Sequence, residues 1–226
     1  RVKSTFCRLT PTARNLAPWF WLPAGGPMSP PKASWRAGQV GKEQWVITSG
    51  RSTPELEVLA GLYYETVAEF GLFQEVDEKN MPTAYRTLLA HDEHMTEALE
   101  AFHACALAVQ VLESAVNETH YRRKVILTRK RDDAVVLFGI VRVTRALLPP
   151  EIRDAIEAER IPLGRILIRS EVLRRVRLLS LWKVEPGDDL CRIFGFAKPE
   201  TCYGRTALMY CDAVPVIELL EVVTAS

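Results

Sequence analysis

The stretch YGRTALMYCDAVPVIELLEVV, Tyr203–Val223, decides how this chain is read. Two apolar runs flank an Asp212-Ala213-Val214-Pro215 turn, the pattern of a β-hairpin. Glu218 and Glu221 interrupt the second run. A carboxylate on an otherwise apolar strand is costly to bury unless a cation or hydrogen bonds satisfy it. The two acids are three positions apart, so on a regular strand they face opposite sides and at most one enters a pocket. A matching cation lies upstream: Arg123 in HYRRKVIL (120–127), at the start of another β-prone run. Arg122 and Arg123 obey the same alternation, and spacing leaves open which of them faces inward. An inward Glu and an inward Arg on neighbouring strands suit a small anionic ligand that needs both a clamp and a proton donor.

Outward from this hairpin, the chain divides into helices first and strands later. Thr53-Pro54-Glu55 is a helix start, with a cap residue, Pro in the first turn and an early acid. Leu56, Leu59, Tyr63, Val67 and Phe70 follow on one helical face. A second helix follows Met81-Pro82 and carries Tyr85, Leu88 and Leu89. HDEHMTEALEAFHA (91–104) carries Met95, Ala98, Leu99 and Phe102 as its apolar face. From Ala106 the pattern changes. ALAVQVLESAV (106–116) is a strand, and YRRKVILT and AVVLFGIVRV form a hairpin around Lys130-Arg131-Asp132-Asp133. LLPPEIRDAIEAER (147–160) is a short helix with Pro150 near its start. IPLGRILIRS (161–170) is a turn followed by a helical turn. VLRRVRLLSLWKV (172–184) reads as a strand, with helix left open by its Arg spacing, and EPGDDL (185–190) as a turn. Helices followed by mostly adjacent strands predict an α+β domain over residues 51–226, with an antiparallel sheet covered on one face. Residues 1–50 differ: they are rich in Pro, Gly and Ser, as in WLPAGGPMSPPKASW (21–35), and hold Trp19, Trp21 and Trp35. They are expected to form a loosely ordered extension.

Composition narrows the function classes. At 226 residues and 48% hydrophobic content the chain can bury a substantial core. Its 29 basic and 28 acidic residues give a net charge of +1, so no global field favours nucleic acid or an anionic membrane. No apolar run reaches a membrane span. The longest, Ala134–Val141, has the length of a strand. The first residue is not Met, and no signal peptide is evident in the residues after it. The five cysteines, Cys7, Cys105, Cys191, Cys202 and Cys211, form no C-x-x-C and read as free thiols of a reducing, cytoplasmic compartment.

Several clusters yield to plainer readings. His91, His94 and His103 with Asp92 and Glu93 lack the H-E-x-x-H spacing, so no metal site is expected. Pro162-Leu163-Gly164 is a common turn by itself, and neither a Gly-rich phosphate loop nor a dinucleotide fingerprint occurs. Cys202 and Cys211 have no nearby His as a base. Arg174-Arg175-Val176-Arg177 alternates as the solvated face of a strand would.

HMTEALEAF, RRKVIL, PLGRIL, YGRTALMY and the final ELLEVV resemble, in order and spacing, the chorismate pyruvate-lyase family and its relatives over roughly residues 54–223. The resemblance implies a six-stranded antiparallel sheet with helices on one face, shared with ligand-sensing domains of some bacterial transcription regulators. It implies cofactor-free conversion of chorismate to 4-hydroxybenzoate and pyruvate, a carbon–oxygen lyase reaction used for example in ubiquinone synthesis. Residue by residue, it places a ligand-contacting Met at Met95, a carboxylate-binding Arg at Arg123, a Leu whose backbone meets the ligand at Leu163, and a catalytic Glu at Glu221. The last match needs a one-residue shift in the strand, which leaves Glu218 as the fallback. On this reading Arg123 clamps a carboxylate bidentately, and Glu221 donates a proton or steers the ring. The chain departs from the family pattern at Phe138-Gly139-Ile140, where further polar residues are usual, and at Leu208 and Met209, where an Arg-rich face is thinner. A second reading is a non-catalytic sensor of aromatic or sugar acids on the same fold. It would normally need a DNA-binding partner domain, and residues 1–50 show no helix-turn-helix.

Overall fold

The computed structural model describes residues 56–65, 67–170, 175–211 and 214–225. The extension expected over residues 1–50 lies outside them. The first expected helix is two short ones, α1 (Leu56–Ala60) and α2 (Val67–Phe70). Gly61 ends α1, its amide closing the last turn on the Glu57 carbonyl at 2.8 Å. A strand that the sequence reading lacked, β1 (Gly71–Glu75), follows directly. Then come α3 (Thr83–Leu89), α4 (Met95–His103), β2 (Leu107–Val116), β3 (His120–Arg129), β4 (Val135–Thr144), α5 (Pro150–Glu157) and α6 (Leu163–Ser170). The chain ends with β5 (Arg175–Pro186), α7 (Asp188–Phe194), β6 (Cys202–Cys211) and β7 (Val214–Val223). Helix α7 occupies the segment read as a turn. Gly187 stands at its N-cap, Asp188 and Asp189 lie in its first turn, and Gly195 ends it in the left-handed region at φ 71°. Val214 and Pro215 belong to β7, so the last turn is shorter than the four residues expected.

The strands form one antiparallel sheet in the order β1-β5-β6-β7-β4-β3-β2. The α+β antiparallel expectation holds, with seven strands where six were implied. Helices lie against both faces. Phe138 and Ile140 of β4 and Leu220 and Val222 of β7 pack with Leu59, Phe70 and Leu190 from α1, α2 and α7. Phe70 stacks between Tyr64 and Phe73, at ring separations of 4.5 and 4.6 Å. The alternate residues face the other way. Val141, Leu219 and Ile217 meet α5 and α6. Leu137 and Val223 meet α3 and α4. Two-sided burial explains why β7 reads as a nearly continuous apolar run rather than an alternating one. No helix among the described residues is long and apolar enough to cross a membrane.

On the α1 side, Arg122 donates to the Leu62 carbonyl at 3.1 Å and lies over the Tyr63 ring. Lys124 pairs with Asp189 at 3.4 Å. Arg175 and Arg177 are exposed on either side of buried Val176, as a solvated strand face requires. Cys105, Cys191 and Cys202 are free thiols. Burial pushes Cys202 up to about 12, which keeps it a thiol at neutral pH.

Candidate functional site

Alternation along the central strands places one set of side chains beneath α4 and α6. In β3 these are Arg123, Val125 and Leu127. Their register partners in β4 are Val141, Gly139 and Leu137. Gly139 and Val141 pair in turn with Glu221 and Leu219 of β7. These residues floor a cavity of about 460 Å³, counting the space open to solvent at its mouth. Its roof is the first turn of α4, with Met95 and Thr96, and the first turn of α6, with Pro162, Leu163 and Gly164. Met95, Arg123, Leu163 and Glu221, singled out in the sequence, therefore line the same cavity.

The roof depends on a close approach. A Cβ on Gly164 would stand 3.0 Å from Thr96 Oγ1 and 3.4 Å from His94 Cβ, so glycine lets the two helix starts meet. Arg165 of α6 also pairs with Glu100 of α4. His94, at the N-cap of α4, makes no side-chain cap. In α6 the Arg165 and Ile166 amides donate to the Pro162 carbonyl, while the amides of Leu163 and Gly164 precede any acceptor within the helix. Both positive helix ends thus border the cavity, an arrangement that favours an anion.

Arg123 is the cation of the floor. It is 1% exposed, and its Nε and Nη1 have no hydrogen-bond partner among the described residues. Burial drives its pKa below the ordinary arginine value, while Tyr121, by charge and by a side-chain hydrogen bond, and then Glu159 act in the opposite direction. With Nε and Nη1 unpartnered, these neighbours compensate the desolvation of the guanidinium only in part.

Glu221 has a different partner from the one expected. Its Oε2 accepts from Arg205 Nε at 2.8 Å, and Arg205 is fully buried. The remaining arms of Arg205 donate to the carbonyls of His91 at 2.9 Å and Glu93 at 3.2 Å. Arg205 thus fastens the 91–94 loop, which leads into α4, to the sheet. In the sequence Arg205 stands inside the YGRTALMY run of β6. Its signal was strand parity, because a buried Glu on β7 needs a cation directly across on β6. Glu218 lies on the opposite face, bound by both carboxylate oxygens to Arg142.

His91 and Asp92 of the cluster fasten this loop. His91 Nε2 bonds the Leu88 carbonyl at 2.7 Å, and Asp92 Oδ1 accepts from the Leu178 amide at 2.8 Å. Burial lowers the pKa of His91, helped by Arg205, and also lowers those of His94 and His103. The unfolded chain takes up these protons near pH 6.5, and the folded chain only below that. The unfolded state therefore binds more protons in this window, and stability falls as pH drops below about 6.5. Urea midpoints between pH 7.5 and 5.5 check this. The decline should be shallower in a His94→Gln, His103→Gln double variant, and equal slopes would contradict the assignment.

No family model matches this chain, and no curated protein does. Solved structures do. The ligand-binding domain assigned to a GntR-family transcriptional regulator of Bordetella bronchiseptica matches at 12% identity and a TM-score of 0.42, over 52% of this chain and 85% of that one. The C-terminal domain of the histidine utilization repressor of Pseudomonas syringae matches at 13% and 0.39, over 52% and 90%. A gene product of Staphylococcus aureus matches at 10% and 0.44, over 60% and 90%. Two of the three are domains of proteins named as a transcriptional regulator and a repressor. The expectation of a carbon–oxygen lyase that turns chorismate into 4-hydroxybenzoate for ubiquinone synthesis is corrected here. The site gives a physical reason as well: the acid cast as proton donor is the acceptor of an ion pair with a buried arginine.

Proposed function

We propose that the domain binds a small molecule bearing a carboxylate at one end and a hydrogen-bond donor at the other, and senses it without transforming it. The observation that carries this reading is Arg123, a buried guanidinium with two unpartnered nitrogens in the lining of an otherwise mostly apolar cavity. A ligand carboxylate accepts from an unpartnered Arg123 nitrogen and meets the first-turn amides of α4 and α6 from the other side. Glu221 keeps one carboxylate oxygen on Arg205, and the other is placed to accept from a ligand hydroxyl or amine. Met95, Val125, Leu163 and Leu219 supply the apolar walls between the two ends. Aromatic and sugar acids with hydroxyl groups fit this description.

Calorimetric titration tests the reading with 4-hydroxybenzoate, benzoate, 4-hydroxybenzamide and glucuronate. The hydroxy acid should bind more tightly than benzoate and be recovered unchanged. Replacing the carboxylate by an amide should weaken binding about 10- to 100-fold, the range of one charge-assisted hydrogen bond. Gly139→Leu supplies the control. A Cβ there stands 3.3 Å from Val125 Cγ2 and 3.4 Å from Leu137 Cδ2, a tight approach that the two flexible side chains relieve by giving a few tenths of an ångström. The rest of a leucine must then extend into the cavity, so binding should be lost from a folded protein. Equal affinity for acid and amide, or no binding of either acid class, would end the proposal.

A further inference from the structure

We infer that Arg205 is the positioning residue through which occupancy of the cavity is passed to the 91–94 loop and the first turn of α4. This rests on the proposed ligand reading for its trigger and on the geometry of Arg205 for its path. Arg205 is fully buried and its guanidinium is divided between two structures. Its Nε holds Glu221, which lines the cavity floor. Its Nη1 and Nη2 hold the His91 and Glu93 carbonyls, in the loop that delivers Met95 and Thr96 to the cavity roof. One planar, rigid group therefore sets the separation of floor and roof. The loop is also fastened at Leu88 through His91 and at Leu178 through Asp92, but neither of these anchors lines the cavity.

A ligand donor that draws on Glu221 changes the charge facing Arg205 Nε. Because the guanidinium is planar, a shift at Nε moves Nη1 and Nη2 together. The two loop carbonyls follow, or their hydrogen bonds break inside a buried region, where an unmet donor is costly. A lysine at this position could hold Glu221 or the loop, but it lacks the fork that joins them.

Hydrogen exchange of the full chain, read in peptides covering 91–98, tests this with and without ligand. In the unliganded protein Glu221→Gln, which preserves side-chain shape, should speed exchange in 91–98 about tenfold, the effect of weakening one charge-assisted hydrogen bond on a local opening. Peptides from β2 should not change. In an Arg205→Lys background the same substitution should add nothing further. With saturating 4-hydroxybenzoate, exchange in 91–98 should change in the wild type and stay constant in Arg205→Lys, even where calorimetry still detects binding. That split separates coupling from a merely structural role. Unchanged exchange in Glu221→Gln overturns the inference whatever binds, and this arm stands even if Arg205→Lys does not fold. A response to Glu221→Gln but to no acid supports the coupling and overturns the ligand class instead.

Discussion

Arg123→Met should give a protein that is more stable without ligand and no longer binds a carboxylate. Both effects come from the same property. The native guanidinium is removed from water and two of its nitrogens have no partner among the described residues. Methionine has a similar length, no charge and enough flexibility to fill the space beside Val125 and Val141. Replacing buried ionic groups by apolar ones of similar volume stabilises by about 1–4 kcal/mol in favourable cases. For a domain of this size that corresponds to a melting temperature higher by roughly 3–10 °C. Affinity for 4-hydroxybenzoate should fall at least about a hundredfold, since the charge and the hydrogen bonding of the clamp are lost together. Calorimetric unfolding and titration of the same sample measure the two effects. A variant that loses binding and also melts lower would show that the contacts of Arg123 with Tyr121 and Glu159 outweigh its desolvation, and the anion-site reading would fail.

Arg205→Met should act in the opposite direction and more strongly. It strands Glu221, only 8% exposed, and removes the donors to two loop carbonyls. Removing one partner of a buried ion pair costs about 3–5 kcal/mol. The melting temperature should fall by about 10 °C or more. A second substitution tells pair from packing. In Arg205→Met, Glu221→Leu no charge is left unmatched, and about half or more of the loss should return. Urea unfolding of the wild type, both single variants and the double variant closes the cycle. Strict additivity would mean that the two residues stabilise the domain independently.

The contrast between these arginines marks what the sequence could tell. Strand periodicity and the resemblance together bring Met95, Arg123, Leu163 and Glu221 to one cavity lining. The three-residue spacing of Glu218 and Glu221 separates them by face, as the structure has them. Pairing was not legible, because it depends on register. Glu221 lies across from Arg205 on β6 and from Gly139 on β4, and Arg123 pairs in register with Val141 instead. Gly139 likewise sits within the apolar run Ala134–Val141, where nothing marks the room its missing side chain leaves. Elsewhere, local signals were present and outweighed. The helical face drawn through Tyr63 and Val67 ran across Gly61, a standard helix stop. Gly187-Asp188-Asp189 is a helix start that resembles a turn when the helix it opens is only seven residues long. Strand β1 is five residues long, with Leu72 exposed at the sheet's edge, and its short pattern is consistent with several conformations. The second helical layer was implied by the continuous apolar run of β7, which is what a strand covered on both sides looks like.

The two acids of β7 also bear on how the chain finds this arrangement. Glu221 is matched to β6 on one face, and Glu218 is matched to β4 on the other. A strand so rich in Val, Leu and Ile could slide along its neighbours at little hydrophobic cost. A slip of two residues on β6 would set the Arg205 guanidinium against Leu219 or Val223 and leave two charges unmatched in the core. A slip of one would send them to opposite faces. The ion pairs thus proofread the alignment of β7 on both sides at once, and an error of a single step on either side is penalised by charge.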